Sequence, residues 1–408
     1  MVAVVFLAIA APLLRETTRE GFDTYDERTF HLPTIRSFMD DWPAFDLVHM
    51  RAHMSPLYHA ALATVGVGFG LDVFGLRVVN LLLSLACLWV IHAHLARRPS
   101  GENALLVTAA VALSPYFLGS SVRLMTDNMA LLFAVSSIAA MEARGRTTRD
   151  LVGANTLILL AVLTRQSYAW LAGVYLASVG DSVPPFDSWK AALGRAIRVL
   201  LPLSLPIVGL AALAVVWGGM TPPGFRDTPT FSTDAPIFVI SLLGAFGCFL
   251  VSSVREMQRE ARVPTAALAT VAVGCALILI LHPVSNEYPL VRGAWSQRGG
   301  WLWLAASRTP DVLSTASLFW VLFPFGAVCA AIMVGYARTK NESLWAPCLV
   351  LLVASSVLMP WTYQKYFEPL LLVWLGQLLG HGEGWRFRVG PSLLVAAFAV
   401  MSFSRYFA

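Results

Sequence analysis

Residues 72–98 read DVFGLRVVNLLLSLACLWVIHAHLARR, an apolar run that stops on Arg97 and Arg98. A membrane-crossing helix needs about 20 mostly apolar residues, and 72–95 supplies them. This run decides the fold because the rest of the chain repeats it. Comparable runs lie near 103–121, 126–141, 151–163, 167–180, 199–217, 235–253, 264–281, 312–336, 344–360, 367–380 and 389–403. The expected fold is therefore all-α, a polytopic transmembrane helix bundle of about 11–14 spans. Residues 2–14, VAVVFLAIAAPLL, are short for a span and lack the basic start of a signal peptide. They read as a first span whose start is truncated or mis-assigned.

Composition agrees. The 408 residues are 57% hydrophobic and only 13% charged, about half the charge of an ordinary soluble domain, so lipid is the expected solvent. The net charge of +5 is spread over loops and gives no reason to propose nucleic-acid binding. Arginine outnumbers lysine 26 to 3, a bias that suggests a GC-rich, prokaryotic genome. All five cysteines fall inside apolar runs without a CxxC pair, as small core hydrophobes do. No linker interrupts the chain, so residues 1–408 read as a single membrane domain.

The loops alternate in charge. One set carries fifteen cations: Arg97 and Arg98; Arg144, Arg146 and Arg149; Lys190, Arg195 and Arg198; Arg255, Arg259 and Arg262; Arg338 and Lys340; Arg386 and Arg388. Short loops of the other set hold about one each: Arg123, Arg165, Arg226 and Lys365. The positive-inside rule places the first set in the cytoplasm. Two long segments, 15–71 and 282–311, then lie on the opposite face, where long loops rich in Trp, Tyr, His, Arg and Asp build sites. Within the first, Ile35, Phe38, Met39 and Trp42 follow helical spacing after Pro33, opposite Arg36, Asp40 and Asp41. That pattern predicts an amphipathic helix at the membrane interface.

The residues able to do chemistry gather on that face. Asp23, Tyr25, Asp26, Glu27 and His31 form the densest group; a partly buried carboxylate there suits general-base work, and a solvated acidic loop is the plain alternative. His49 and His53 have HxxxH spacing, but no acidic third ligand has a defined spacing, so no metal is expected, nor any cofactor. Arg123 and Asp127, four apart, read as a structural ion pair. Arg165-Gln166 interrupts two apolar runs almost without a loop. An ionisable group at that depth is functional or paired: Arg165 could clamp a phosphate, or pair with Asp127 or another carboxylate. In the second long segment Arg292 and Arg298 stand among Trp295, Trp301 and Trp303, a sugar and phosphate platform or an ordinary interfacial belt. Tyr363, Lys365, Tyr366 and Glu368 close the set, with His59 beside the earlier histidines.

The order of these motifs resembles the GT-C membrane glycosyltransferases, and among them the dolichyl-phosphate-glucose α-1,2-glucosyltransferase family. The matching stretches are Tyr25-Asp26-Glu27 with Phe30-His31, Ser55 to His59 (SPLYH), Leu76-Arg77 with Asn80-Leu81-Leu82, Thr126-Asp127, Arg165 to Trp170 (RQSYAW), and Lys365-Tyr366-Phe367 with Pro369. Each is short; their shared order over residues 25–369 carries the resemblance. Relative to the family, one extra residue separates Glu27 from His31, and Lys365 stands in place of an arginine. Its Asn-Arg-His-Tyr stretch is only loosely echoed at Asn286 to Tyr288.

The resemblance implies a polyprenyl-phosphate sugar donor and a lipid-linked glycan or other acceptor, whose hydroxyl attacks the anomeric carbon with inversion. Asp26, or alternatively Glu27, is the expected base. Arg165, Arg292, Arg298 and Lys365 would bind the donor phosphate, and Tyr25, His31, His53, Asp127, Gln166 and Tyr366 the substrates. Membrane lipids surround the protein. Its expected place is a prokaryotic inner (plasma) membrane with the site facing the periplasm or exterior, or the ER membrane in a eukaryote. A transporter or flippase of a lipid-linked or anionic substrate is the main alternative, and a membrane scaffold a third. Transporters, though, usually place charges near the midplane.

Overall fold

The computed structural model describes residues 1–15, 22–142, 147–180, 189–225, 231–284, 298–359 and 361–407. Arg226, Asn286 to Tyr288, Arg292 and Trp295 lie outside the described residues, as do Arg144 and Arg146 of the basic loops. The regular elements of the described residues are helices apart from two small strand pairs: Arg298–Gly299 runs parallel to Thr362–Tyr363, and Asp311–Val312 antiparallel to Thr315–Ala316. The all-α expectation holds.

Among the described residues, four helices are long and apolar enough to cross a membrane: Val73–Leu95, Ala196–Trp217, Ser317–Thr339 and Trp385–Tyr406. Two bent pairs bring the number to six, and six further apolar helices are shorter. The opening run thus becomes Val73–Leu95. Two other runs are broken rather than straight. Residues 103–121 divide into Gly101–Leu113 and Pro115–Val122, with Ser114 extended at φ −55°, ψ 129°. Proline disfavours the helical conformation in the residue before it, which places the break at Ser114. Residues 235–253 divide into Asp234–Phe249 and Val251–Ala261, bent by 100°. The second piece carries Arg255, Glu256, Arg259 and Glu260, and buries only the Ser253, Val254 and Met257 face. A helix with that charge cannot continue along an apolar axis, so it turns.

The chain forms two compact units, residues 1–94 with 117–228, and residues 95–116 with 229–408. In the first, helix Leu32–Asp40 begins with proline in its first turn and buries Ile35 and Phe38. The amphipathic helix expected from the sequence forms, but it ends before the exposed Trp42, and its apolar face is covered by helix Leu57–Phe69, through Tyr58, Leu62 and Ala63, rather than turned to lipid. Gly66 admits the Met39 side chain, whose end would lie 3.1 Å from a Cβ there. Trp217 donates its indole N–H to the Leu47 carbonyl at 2.8 Å and pins the loop that follows.

Asn80, inside the opening apolar run, is the polar hub of this unit. Its Nδ2 faces the carbonyls of Ser120, Ser121 and Arg123 at 2.8, 3.0 and 2.7 Å, and its Oδ1 accepts from Tyr58 Oη at 3.0 Å. Those carbonyls belong to the end of helix Pro115–Val122, where the helix itself leaves them without partners. Asn80→Ala strands them in the interior at roughly 1–3 kcal/mol for each buried group left unpaired. Thermal unfolding in detergent is expected to show a midpoint lowered by many degrees; an unchanged midpoint contradicts the hub.

In the second unit, Ser317–Thr339 packs on Asp234–Phe249 through facing glycines. A Cβ on Gly326 would lie 1.9 Å from the Ile240 carbonyl oxygen, and one on Gly244 2.2 Å from that of Leu322. Small residues let membrane helices approach this closely. Arg98 is bound by Glu342 at 2.9 Å, and His381 reaches the same carboxylate at 2.7 Å.

Candidate functional site

Among the described residues, most of those singled out above fall into two polar groups, one in each unit. The first begins where helix Phe22–Asp26 passes into a π-turn over Glu27–His31 and on into Leu32–Asp40. The wide turn, closed by the Leu32 N–H on the Glu27 carbonyl, takes one more residue than an α-turn.

The two adjacent carboxylates meet different surroundings. Glu27 is fully buried. Arg77 grips both of its oxygens, Nε to Oε1 at 2.9 Å and Nη2 to Oε2 at 2.5 Å. The Leu124 N–H donates to Oε1 at 3.0 Å, and Arg123 stands 3.8 Å away. Arg77 spends a further donor on the Leu14 carbonyl at 2.8 Å. Asp26 is half-buried, and Tyr25 is exposed with its ring edge-on to Phe30. His31 is buried; its Nδ1 lies 2.9 Å from His59 Nε2, with the two rings stacked.

Arg165 sits where the chain steps out of helix. Thr148–Thr164 ends, Arg165 is extended at φ −148°, ψ 113°, and Gln166–Trp170 forms a 3₁₀ turn. Its buried guanidinium pairs with Asp127, the first residue of helix Asp127–Met141. The second Asp127 oxygen is buried and has no hydrogen-bond partner among the described residues. The expected Arg123–Asp127 pair is corrected by this geometry. Helix Pro115–Val122 ends before Arg123, so the two never share a helix face; Arg123 turns to Glu27 and Asp127 to Arg165.

Gln166 is occupied as a clamp. Its Oε1 accepts from the Ser55 N–H and Oγ, both at 3.1 Å, and its Nε2 donates to the His53 carbonyl at 3.0 Å. The loop so held carries half-buried His53, whose two ring nitrogens are buried, against Phe225, which also touches Phe30. Burial first, and the nearby Arg165 charge second, push His53 down to about 4, so its imidazole is neutral at neutral pH. His49 is exposed on Asp46 at 2.7 Å. Residues 41–56 form no regular helix, so the HxxxH spacing does not place His49 and His53 on one face. Among the described residues no three His, Cys, Asp or Glu side chains group as metal ligands.

The second cluster contains Arg298 and Lys365. Arg298 pairs with Asp234 and lies 4.6 Å from the Trp303 ring centroid. Its two-residue strand is registered on Thr362–Tyr363, just before the turn Gln364–Tyr366. Lys365 is buried, with Nζ 5.7 Å from the Tyr363 ring centroid and 5.6 Å from that of Tyr366. Both cations thus sit on aromatic faces, where desolvated charge is stabilised by the ring quadrupole.

Sequence reading passed over the structural weight of Asn80, Tyr58 and Arg77. The available signal was a polar pair, Arg77 and Asn80, inside a run otherwise long enough to cross a bilayer.

No protein-family model matches the chain, and no curated protein does. Among solved structures, the chain is similar to ArnT from Cupriavidus metallidurans bound to undecaprenyl phosphate, with 13% identity and a TM-score of 0.42, over 95% of this chain and 77% of that one. It is also similar to the Archaeoglobus fulgidus oligosaccharyltransferase in the apo form, with 15% identity and a TM-score of 0.48. That match takes in 98% of this chain and 54% of the archaeal protein, so the chain spans about half its length.

Proposed function

We propose that the chain is a GT-C-type membrane glycosyltransferase. It moves a sugar from a polyprenyl-phosphate donor to a lipid-linked glycan or other acceptor on the non-cytoplasmic face, with inversion. The motif order over residues 25–369 supports this class. The observation that supports the mechanism is the different setting of the adjacent carboxylates. Both Glu27 oxygens are held by Arg77, and one also by the Leu124 N–H, while Asp26 is only half-buried. A base must reach the proton it removes, so Asp26 is the base and Glu27 builds the turn that presents it.

The acceptor oxygen forms its bond to the anomeric carbon as the bond to the donor phosphate oxygen breaks. Asp26 takes the acceptor proton, and the phosphate leaves with the electron pair. Such a leaving group needs no acid, but its growing charge needs cations. The motif order proposes Arg165, Arg292, Arg298 and Lys365 for that role. Asp127 orients Arg165, and its second oxygen is an acceptor for a sugar hydroxyl. Tyr25, His31, His53, Gln166 and Tyr366 shape the substrate sites, His53 and Gln166 by way of the clamped 53–55 loop.

Membranes containing the protein, supplied with a panel of polyprenyl-phosphate sugars, are expected to transfer at least one sugar. Accumulation of a lipid-linked substrate across the bilayer without transfer would instead favour a transporter. Arg165→Lys keeps the charge opposite Asp127 and removes the planar fork. Its expected effect is a loss of about 10- to 100-fold in kcat/KM for the donor, the worth of one charged hydrogen bond. Wild-type kinetics in this variant would make Arg165 purely structural.

A further inference from the structure

The second unit buries a carboxylate that the reaction above does not use. Glu368 opens helix Glu368–Leu379 and is fully buried. Its oxygens collect donors from three stretches of chain. Ser114 Oγ donates to Oε1. Gln364 Nε2 and Trp301 Nε1 donate to Oε2 at 2.5 and 3.2 Å.

Each donor is itself tied down. Gln364 Oε1 accepts the Leu302 N–H at 3.1 Å, and the Trp301 N–H donates to Tyr116 Oη at 2.6 Å. Ser114 stands at the break before Pro115, and the carbonyls beside it are capped as well: Leu113 by Ser402 Oγ at 2.7 Å, and Pro115 by Tyr406 Oη at 2.8 Å. Between these ties the backbone closes on itself. Gly300 has φ +133°, a conformation that favours glycine, and a Cβ there would fall 2.5 Å from Gln364 Cβ.

A buried carboxylate is a costly way to fill space, and a well-packed apolar side chain often stabilises as much or more. Its return is geometric. Trp301 lies three residues after Arg298, and Glu368 three after Lys365. One carboxylate therefore fastens the stretch bearing Arg298 to the stretch bearing Lys365, and both to the broken helix at Ser114. We infer that Glu368 is a positioning residue that fixes the spacing of Arg298 and Lys365 for the donor phosphate. This inference rests on the phosphate-binding role proposed for those two cations.

The test uses the full chain in proteoliposomes. Glu368→Gln keeps the shape but replaces one acceptor oxygen by a donor; Trp301→Phe removes a single donor. Two readouts run in parallel. Hydrogen–deuterium exchange over 298–303 and 362–366 is expected to quicken in both variants, without any substrate. Binding of a polyprenyl monophosphate, followed with kcat and KM for transfer, is expected to weaken about tenfold in Glu368→Gln and less in Trp301→Phe, with the acceptor KM unchanged. Unchanged exchange overturns the fastening. Quickened exchange with unchanged phosphate binding and donor kinetics overturns the positioning of the cations. Equal losses toward donor and acceptor also overturn it, since they mark general loosening. A wild type that neither binds the polyprenyl monophosphate nor transfers sugar overturns the phosphate role and this inference's purpose with it, while the exchange data still report the fastening separately.

Discussion

Asp26→Asn is expected to lower kcat for sugar transfer by about 10²- to 10⁴-fold, the usual worth of a positioned general base. The substitution is nearly isosteric and leaves a side chain that cannot take the acceptor proton. Asp26 lies at the edge of the buried network, half-exposed, so folding is expected to survive. Donor KM is expected to change little, because the lost interaction belongs to the transition state. The check is steady-state kinetics on monodisperse protein, alongside its thermal unfolding. Full activity in Asp26→Asn, with a folded and inactive Glu27→Gln, would transfer the base to Glu27.

Glu27→Ala is expected to fail earlier, at folding. The carboxylate is completely buried and answers Arg77 with two hydrogen bonds, with Arg123 beside it. Removing one partner of such a pair leaves an uncompensated charge in the interior and costs about 3–5 kcal/mol, much of the stability of an ordinary domain. Little monodisperse protein is expected from size-exclusion chromatography. Replacing both partners, Glu27→Leu with Arg77→Met, is expected to recover part of the yield, because an apolar pair has no charge to strand. A stable Glu27→Ala would show that the pair is not structural, and would weaken the division between the two carboxylates.

That division shows where the sequence was readable and where it was not. The helices were legible because apolar runs report directly on burial in lipid: 72–95 became Val73–Leu95, and 312–336 became Ser317–Thr339. The breaks were less so. Pro115 was a local signal for the first, but the turn after Phe249 depended on how the charged 251–261 stretch would pack. At the candidate site, local reading mispaired Arg123 and could not tell the two adjacent carboxylates apart. Glu27 and Asp26 look alike in sequence, and the deep burial of Glu27 against Arg77 and Leu124 depends on residues far along the chain. Arg123 and Asp127 looked like a helical pair because their spacing is four, yet a helix ends before one and another starts at the other. Arg165 was recognisable as a costly charge in an apolar setting, and pairing with Asp127 was one of its two open readings; the structure shows that pair.

The most direct measurement is the anomeric configuration of the product formed by purified wild-type protein in proteoliposomes supplied with a polyprenyl-phosphate sugar. NMR of the transferred sugar reads it. One carboxylate base and direct displacement of phosphate require the configuration opposite to the donor's, with no product from Asp26→Asn above about 1% of wild type. Retained configuration, or undiminished transfer by Asp26→Asn, would contradict a single-base inverting transferase centred on Asp26.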